Sequence, residues 1–304
     1  MTPSPISAVG FNAGSADGEL ASLEARLRHL ADVGADVAEI AVTSLDIIAG
    51  GRVIPGRAAR LAALTKAFPL RYTVHGLVSS NFMDPETVGP QLAAAKALLE
   101  ICDRIGAGIL VQHSGALRAD QGAIRATAGR LEDDTLLALA EAARPYDVRI
   151  ALENIYTTES GQYRRTPSEV AAAVKRLDHP NLVALIDFSH AYIESTYRSL
   201  DFRAELRAMA PVTGHLHVHD SFGQPAGRTP FFVRQEATAL GLGDLHMPLG
   251  WGDIPWAEIF AELTFLPGTV LLMEIDHRYD AEHADCLAQA RRLAAAVNGR
   301  ALAA

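Results

Sequence analysis

Residues 148–187 read "VRIALENIYTTESGQYRRTPSEVAAAVKRLDHPNLVALID". The stretch opens and closes on short apolar runs, "VRIALEN" (148–154) and "LVALID" (182–187), that read as buried strands. Between them "TPSEVAAAVKRLDHP" (166–180) carries helix-start chemistry. Thr166 can cap, Pro167 takes the first helical position, and Glu169 follows three residues after the cap. A strand, a helix and a second strand form a unit that pairs its strands in parallel.

Working outward, the same unit recurs. Further buried-strand runs are "ISAVGF" (6–11), "DVAEIAV" (36–42), "RYTVHG" (71–76) and "AGILVQH" (107–113), then "GHLHVH" (214–219) and "TVLLMEI" (269–275). Amphipathic helices intervene; "ELASLEARLRHLADVG" and "PQLAAAKALLEICDRIG" both stop at a glycine. Eight strands alternating with helices are the number that closes a barrel. An open doubly wound sheet would want a glycine-rich phosphate loop after its first strand, and "GFNAGSADGE" is only a loose match. The expected fold is therefore a (β/α)8 TIM barrel forming a single domain over residues 1–304.

The chain has 304 residues, 49% of them hydrophobic and 21% charged, which suits a globular protein with a large core. Its start lacks the basic flank and apolar run of a signal peptide, and no segment reaches the length of a membrane span. Cys102 and Cys286 lie far apart in helix-like sequence, so reduced thiols in a cytoplasmic protein are expected. A formal net charge of −9 weighs against nucleic acid as a general partner. A homo-oligomer is compatible with all of this. Two connections, 157–165 and 221–244, are long for plain loops, and loops of that kind in compact domains usually serve function.

In such a barrel, catalytic groups sit at the carboxyl ends of the strands. Strand three ends at His75, strand four at His113, strand five at Glu153, strand six at Asp187 with His190 three residues on, and strand eight at Glu274. Strand seven carries His215, His217 and His219 at alternate positions, which suits a metal, an acid–base site or a hydrogen-bonded ladder. After the long seventh loop, "GDLHMPLGWGDIP" places Asp244 and His246 one residue apart. Singly, His75 or His113 reads as a structural histidine, and Asp187 as a helix cap. Together they are first-row metal ligands gathered at one rim where lysine and arginine are scarce. Several buried carboxylates without cations would be costly, so a divalent metal is the economical source of positive charge.

These motifs resemble the sugar-phosphate isomerase/epimerase superfamily of xylose-isomerase-like barrels, which also contains the endonuclease IV type of apurinic-site nuclease. The carriers are "LEN" around Glu153, "IDFSHA" with Asp187 and His190, the "HxHxxD" of His215 to Asp220, and "ME" at Glu274. The resemblance implies Glu153, Asp187, His217 and Glu274 as ligands of one ion, with His215 a layer deeper and His219 just beyond the strand end. "VHGLVSSN", "VQHSG" and "GDLHMPLGWG" are similar to the nuclease type and imply His75, His113, His190, Asp244 and His246 as ligands of further ions in a two- or three-metal cluster. Gly241, Gly243, Gly250 and Gly252 would let the seventh loop fold back over the mouth.

The resemblance departs from both types. Val78 stands where the nucleases carry an aromatic wedge, Gly223 where the epimerases carry a substrate-holding arginine, and His219 where a lysine is usual. The implied function is a divalent-metal-dependent isomerase or epimerase, or an enolate-type lyase, acting on a sugar, keto-sugar or polyol derivative. In it, Glu153 and Glu274 would move the proton and His190 would hold a substrate hydroxyl or bind metal. The alternative is a multinuclear-metal phosphodiesterase or apurinic endonuclease. An imidazole-rich ligand set suits Mn2+ foremost, then Zn2+, Co2+ or Fe2+, and more than one ion.

Overall fold

A computed structural model describes residues 5–227 and 231–303, with side chains to residue 301. Eight parallel strands close a barrel: β1 Ile6–Ala13, β2 Val37–Ala41, β3 Arg71–His75, β4 Ile109–His113, β5 Arg149–Glu153, β6 Leu182–Asp187, β7 Thr213–Val218 and β8 Thr269–Met273. Each pairs with its neighbours in chain order, and β1 pairs with β8 to seal the ring. All eight expected strands are present, with bounds shifted by two residues at most.

Strand alternation sorts the chain into two cores. Outward-facing Phe11, Ile40, Val74, Leu110, Ile150, Ile186, Leu216 and Met273 pack beneath the helices. Inward-facing Val37, Ile109, Val111, Ala151, Val183, Leu185, Val270 and Leu272 fill the lower barrel. Above that apolar floor the inward positions turn polar, so the sequence pattern itself builds a floor and a reactive mouth.

The helices that matter for the mouth begin at strand ends. The helix Pro167–Leu177 has the expected start: Glu169 N donates to Thr166 Oγ1 at 3.3 Å and Thr166 N donates to Glu169 Oε2 at 3.0 Å. The helix Phe188–Arg198 starts directly after β6, with His190 N donating to Asp187 Oδ1 at 2.8 Å. Asp187 is thus both cap and rim carboxylate. In the 157–165 connection, Tyr163–Arg164 pairs antiparallel with Ala116–Leu117 from the loop after β4. The 221–244 connection carries a short helix, Arg234–Leu240, and includes residues 228–230, which lie outside the described residues. Cys102 and Cys286 are free and buried. Among the described residues no helix is long and apolar enough to cross a membrane.

Candidate metal centre

His217 is the pivot of the mouth. Its Nε2–H donates to Glu39 Oε1 at 2.9 Å, while its Nδ1 is buried with no hydrogen-bond partner among the described residues. That bare nitrogen lies 3.3 Å from Glu274 Oε2, 3.4 Å from Glu153 Oε1 and 3.9 Å from Asp187 Oδ2. Ligand atoms about 2.1 Å from a tetrahedral ion stand about 3.4 Å apart, so Glu274 and Glu153 stand from this nitrogen at the separation of two ligands of one ion, with Asp187 slightly farther. A carboxylate behind the imidazole fixes the tautomer and ring orientation of a metal-binding histidine.

Glu153 faces two ways. Oε1 is turned to His217 and to His190 Nδ1 at 3.3 Å, while Oε2, which has no hydrogen-bond partner, lies 3.2 Å from His113 Nε2 and 3.8 Å from His75 Nε2. A third group forms where the seventh loop folds back. Asp244 Oδ2 lies 2.8 Å from His246 Nε2 and 3.2 Å from His190 Nε2.

Three of the rim histidines share one device. The Nδ1–H of His75 donates to Gly76 O at 3.1 Å, that of His190 to Asn154 O at 3.1 Å, and that of His246 to Glu274 O at 2.7 Å. Each backbone bond fixes the tautomer and leaves Nε2 bare toward the carboxylates. His246 also holds a positive φ of 47°, an uncommon conformation for a non-glycine residue. At Gly252 an added Cβ would stand 2.3 Å from Ser221 O, so only glycine permits that crossing of the loop.

The carboxylates and imidazoles of the mouth shift one another's protonation. Burial alone would raise the Glu153 carboxyl, but the imidazoles of His113 and His217 hold it well below the usual carboxylate range. Burial likewise opposes a charged His217, yet Glu39, Glu274 and Glu153 push it well above the usual imidazole range. His246, facing Asp244, is pushed up to about 10 despite its burial. A divalent ion at the bare nitrogens would offset these carboxylates in place of imidazole protons.

The nine residues expected from the sequence all come together here. His215 sits a layer deeper, its Nε2–H donating to Glu39 Oε2 at 2.8 Å. Two features escaped the sequence reading. Glu39, buried on β2, serves both His215 and His217 and also accepts from Thr73 Oγ1 at 2.8 Å. His219, expected outside the ligand set, stands directly against it: its Nε2 is 3.0 Å from Asp187 Oδ2, and its ring stacks on His246 at 4.2 Å. It groups with Asp187 and His190, and again with Asp244 and His246, at metal-holding separations. Asp220 has a different task. It accepts from Gly250 N at 2.7 Å, Ser221 N at 3.1 Å and Trp256 Nε1 at 3.2 Å, pinning the loop that delivers Asp244 and His246.

Away from the mouth, His29, Asp280 and His283 also cluster, but there the Arg26 guanidinium already pairs with Asp280 at 2.5 Å. A pocket of about 350 Å3 opens above the rim groups, lined among others by His75, His113, Glu153, His190, Asp244 and Glu274. Val78, at its edge, is 66% exposed.

Comparison with known proteins agrees with this architecture. No curated protein matches the chain in sequence. A D-tagatose 3-epimerase-like protein superposes with a TM-score of 0.71 at 18% identity, covering 94% of this chain and 98% of its own. A D-psicose 3-epimerase from Clostridium cellulolyticum H10, solved with D-tagatose, gives 0.66 at 17% identity over 95% and 99%. The TTHB071 protein from Thermus thermophilus, solved after soaking with ZnCl2, gives 0.63 at 20% identity over 94% and 98%. The family model of the xylose isomerase-like TIM barrel matches residues 27–297, and the chain belongs to that family.

Proposed function

We propose that this protein is a divalent-metal-dependent isomerase or epimerase of a small carbohydrate: a sugar, keto-sugar or polyol derivative. The observation that carries the reading is the bare Nδ1 of His217, fixed from behind by Glu39 and facing three carboxylates. Glu153, Asp187, His217 and Glu274 would hold the core ion. His75 and His113 would hold a second through the other oxygen of Glu153, and His190, Asp244 and His246, with His219 beside them, a third. The imidazole content favours manganese, zinc, cobalt or iron over magnesium or calcium.

When bound, the cation draws electron density from a substrate carbonyl and so acidifies the adjacent C–H. The chain's own groups do the rest. Glu153 and Glu274 both line the pocket, 3.4 and 3.3 Å from His217 Nδ1, and would take a proton from carbon and return it. His190 presents Nε2 at the pocket wall, where it can orient a substrate hydroxyl or hold metal. A cavity of about 350 Å3 suits one small molecule. The solved neighbours named as epimerases of tagatose and psicose support the same class.

A phosphodiesterase is the second reading, favoured by the way Glu153 links two ligand groups. Both are tested together on manganese-loaded and zinc-loaded protein, with a panel of ketopentoses and ketohexoses and with an abasic-site duplex. The expected result is an epimerised or isomerised ketose, with Glu153→Gln and Glu274→Gln each lowering kcat by about 10²–10⁴-fold while the barrel stays folded. Cleavage of the abasic duplex without any sugar turnover would replace the first reading by the second.

A further inference from the structure

Two arginines stand side by side in the 157–165 connection and live in opposite circumstances. Arg165 is buried and neutralised: Nε lies 2.7 Å from Glu132 Oε2 and Nη2 lies 2.8 Å from Asp133 Oδ1. Arg164 lines the same pocket as the rim ligands, half-buried, and makes no ion pair among the described residues. Its Nε donates to Gln162 Oε1 at 3.3 Å and its Nη1 to Ser114 O at 3.3 Å, both neutral acceptors. Nη2 has no protein partner among the described residues. Burial pulls the Arg164 guanidinium below its ordinary value, whereas Glu132 and Asp133 hold Arg165 above it against the same burial effect.

The backbone around Arg164 is held on several sides. The residue pairs in register with Ala116, its carbonyl accepts from Arg198 Nη2 at 3.1 Å, and Arg165 anchors the next position. A positioned, partly desolvated cation with unused donor capacity is suited to a planar or tetrahedral oxyanion, which it can grip through more than one N–H. Among the described residues it is also the one lysine or arginine lining the pocket.

From this we infer that the substrate carries an anionic group, a carboxylate or a phosphate, and that Arg164 receives it while the sugar oxygens face the rim ligands. The inference rests on the carbohydrate reading above and narrows it: the preferred substrate is a sugar acid or sugar phosphate rather than a neutral ketose.

The test is equilibrium binding of three matched probes, D-glucitol, D-glucitol 6-phosphate and D-gluconate, to manganese-loaded protein by calorimetry. Wild type is compared with Arg164→Gln and Arg164→Lys. At least one anionic probe should bind about 10–100-fold more tightly than glucitol, the range of a hydrogen bond to a charged group. Arg164→Gln should erase that margin without weakening glucitol, and Arg164→Lys should keep part of it. The probe that shows the margin identifies the anion. Affinity that survives in Arg164→Gln belongs to the metal ligands, and an anionic margin unchanged in that variant overturns the inference. Equal weakening of all three probes overturns it too, since it would mark a structural role. An Arg164-dependent margin in a protein that epimerises no sugar would leave the anion subsite standing and remove the epimerase reading. Epimerase activity indifferent to substrate charge would do the reverse.

Discussion

Glu39 and His217 meet at 2.9 Å across the barrel interior, from strands separated in the ring by β1 and β8. The carboxylate never reaches the pocket, yet it decides which nitrogen of His217 is free. Glu39→Gln keeps the shape and removes the charge that orients the imidazole. Metal affinity should fall about 10–100-fold, the usual cost of losing such a partner, with no ligand removed. Titration of chelator-treated protein with manganese or zinc measures it. An unchanged dissociation constant would show that the ring is held by packing alone.

The three ligand groups predict more than one ion per chain. Elemental analysis of protein purified without chelators and saturated with metal should give at least two equivalents. Asp244→Ala should lower the content by about one, and Glu153→Ala should abolish binding at both groups it serves. His217→Ala should empty the core position. His219→Ala should loosen the Asp244 group, because His219 both bonds Asp187 and stacks on His246. A single equivalent that Asp244→Ala leaves untouched would reduce the centre to one ion.

Asp220 should matter for stability and, through the loop, for metal. Asp220→Asn forfeits part of a charged acceptor that holds Gly250, Ser221 and Trp256. Breaking such buried bonds costs about 2–3 kcal/mol. The melting temperature should drop, and metal content should approach that of Asp244→Ala. Normal melting and full metal content would mean that the loop needs no anchor.

His283 supplies a pH dependence separate from the mouth. Its ring is fully buried and stacks on Phe11 at 4.1 Å; burial first, then the Arg26 charge, push it down to about 3 against the opposing pull of Asp280, with His29 and His277 also near. An unfolded histidine titrates near 6.5. Below that pH the unfolded chain takes a proton that the folded chain refuses, so stability present above pH 6.5 is lost as pH falls toward 3. His283→Phe preserves the stacking and removes the titration. Relative to this variant, wild type should lose about 1 kcal/mol of stability per pH unit between pH 6 and 4. Parallel denaturant midpoints across that range would contradict it.

The barrel and its rim were legible because periodicity and strand ends are local signals. Eight apolar runs, Thr166 with Glu169, and the carboxylate or imidazole closing each strand from the third onward could be read in place. Glu39 left a fainter trace: alternation puts it inward between Val37 and Ala41, where an acid needs a partner, but nothing local says that the partner is on β7. The direction of the His219 ring was hidden because the strand stops at Val218, and beyond it alternation no longer tells where a side chain points. Arg164 lay inside a loop whose length pointed to function, but only the pairing with Ala116 aims it at the pocket. These are properties of tertiary packing, which overrides local pattern.

The floor of valines and leucines beneath the mouth bears on how the protein is born. Val37, Val111, Leu185 and Leu272 close the lower barrel with no polar atom among their side chains. The scaffold can therefore assemble on apolar burial alone, unlike small metal-dependent domains that are unstructured until loaded. If the mouth binds metal as proposed, loading would be an event in the life of a finished molecule, with ions arriving through the open mouth. A cell would then hold intact, silent barrels that metal supply alone switches on.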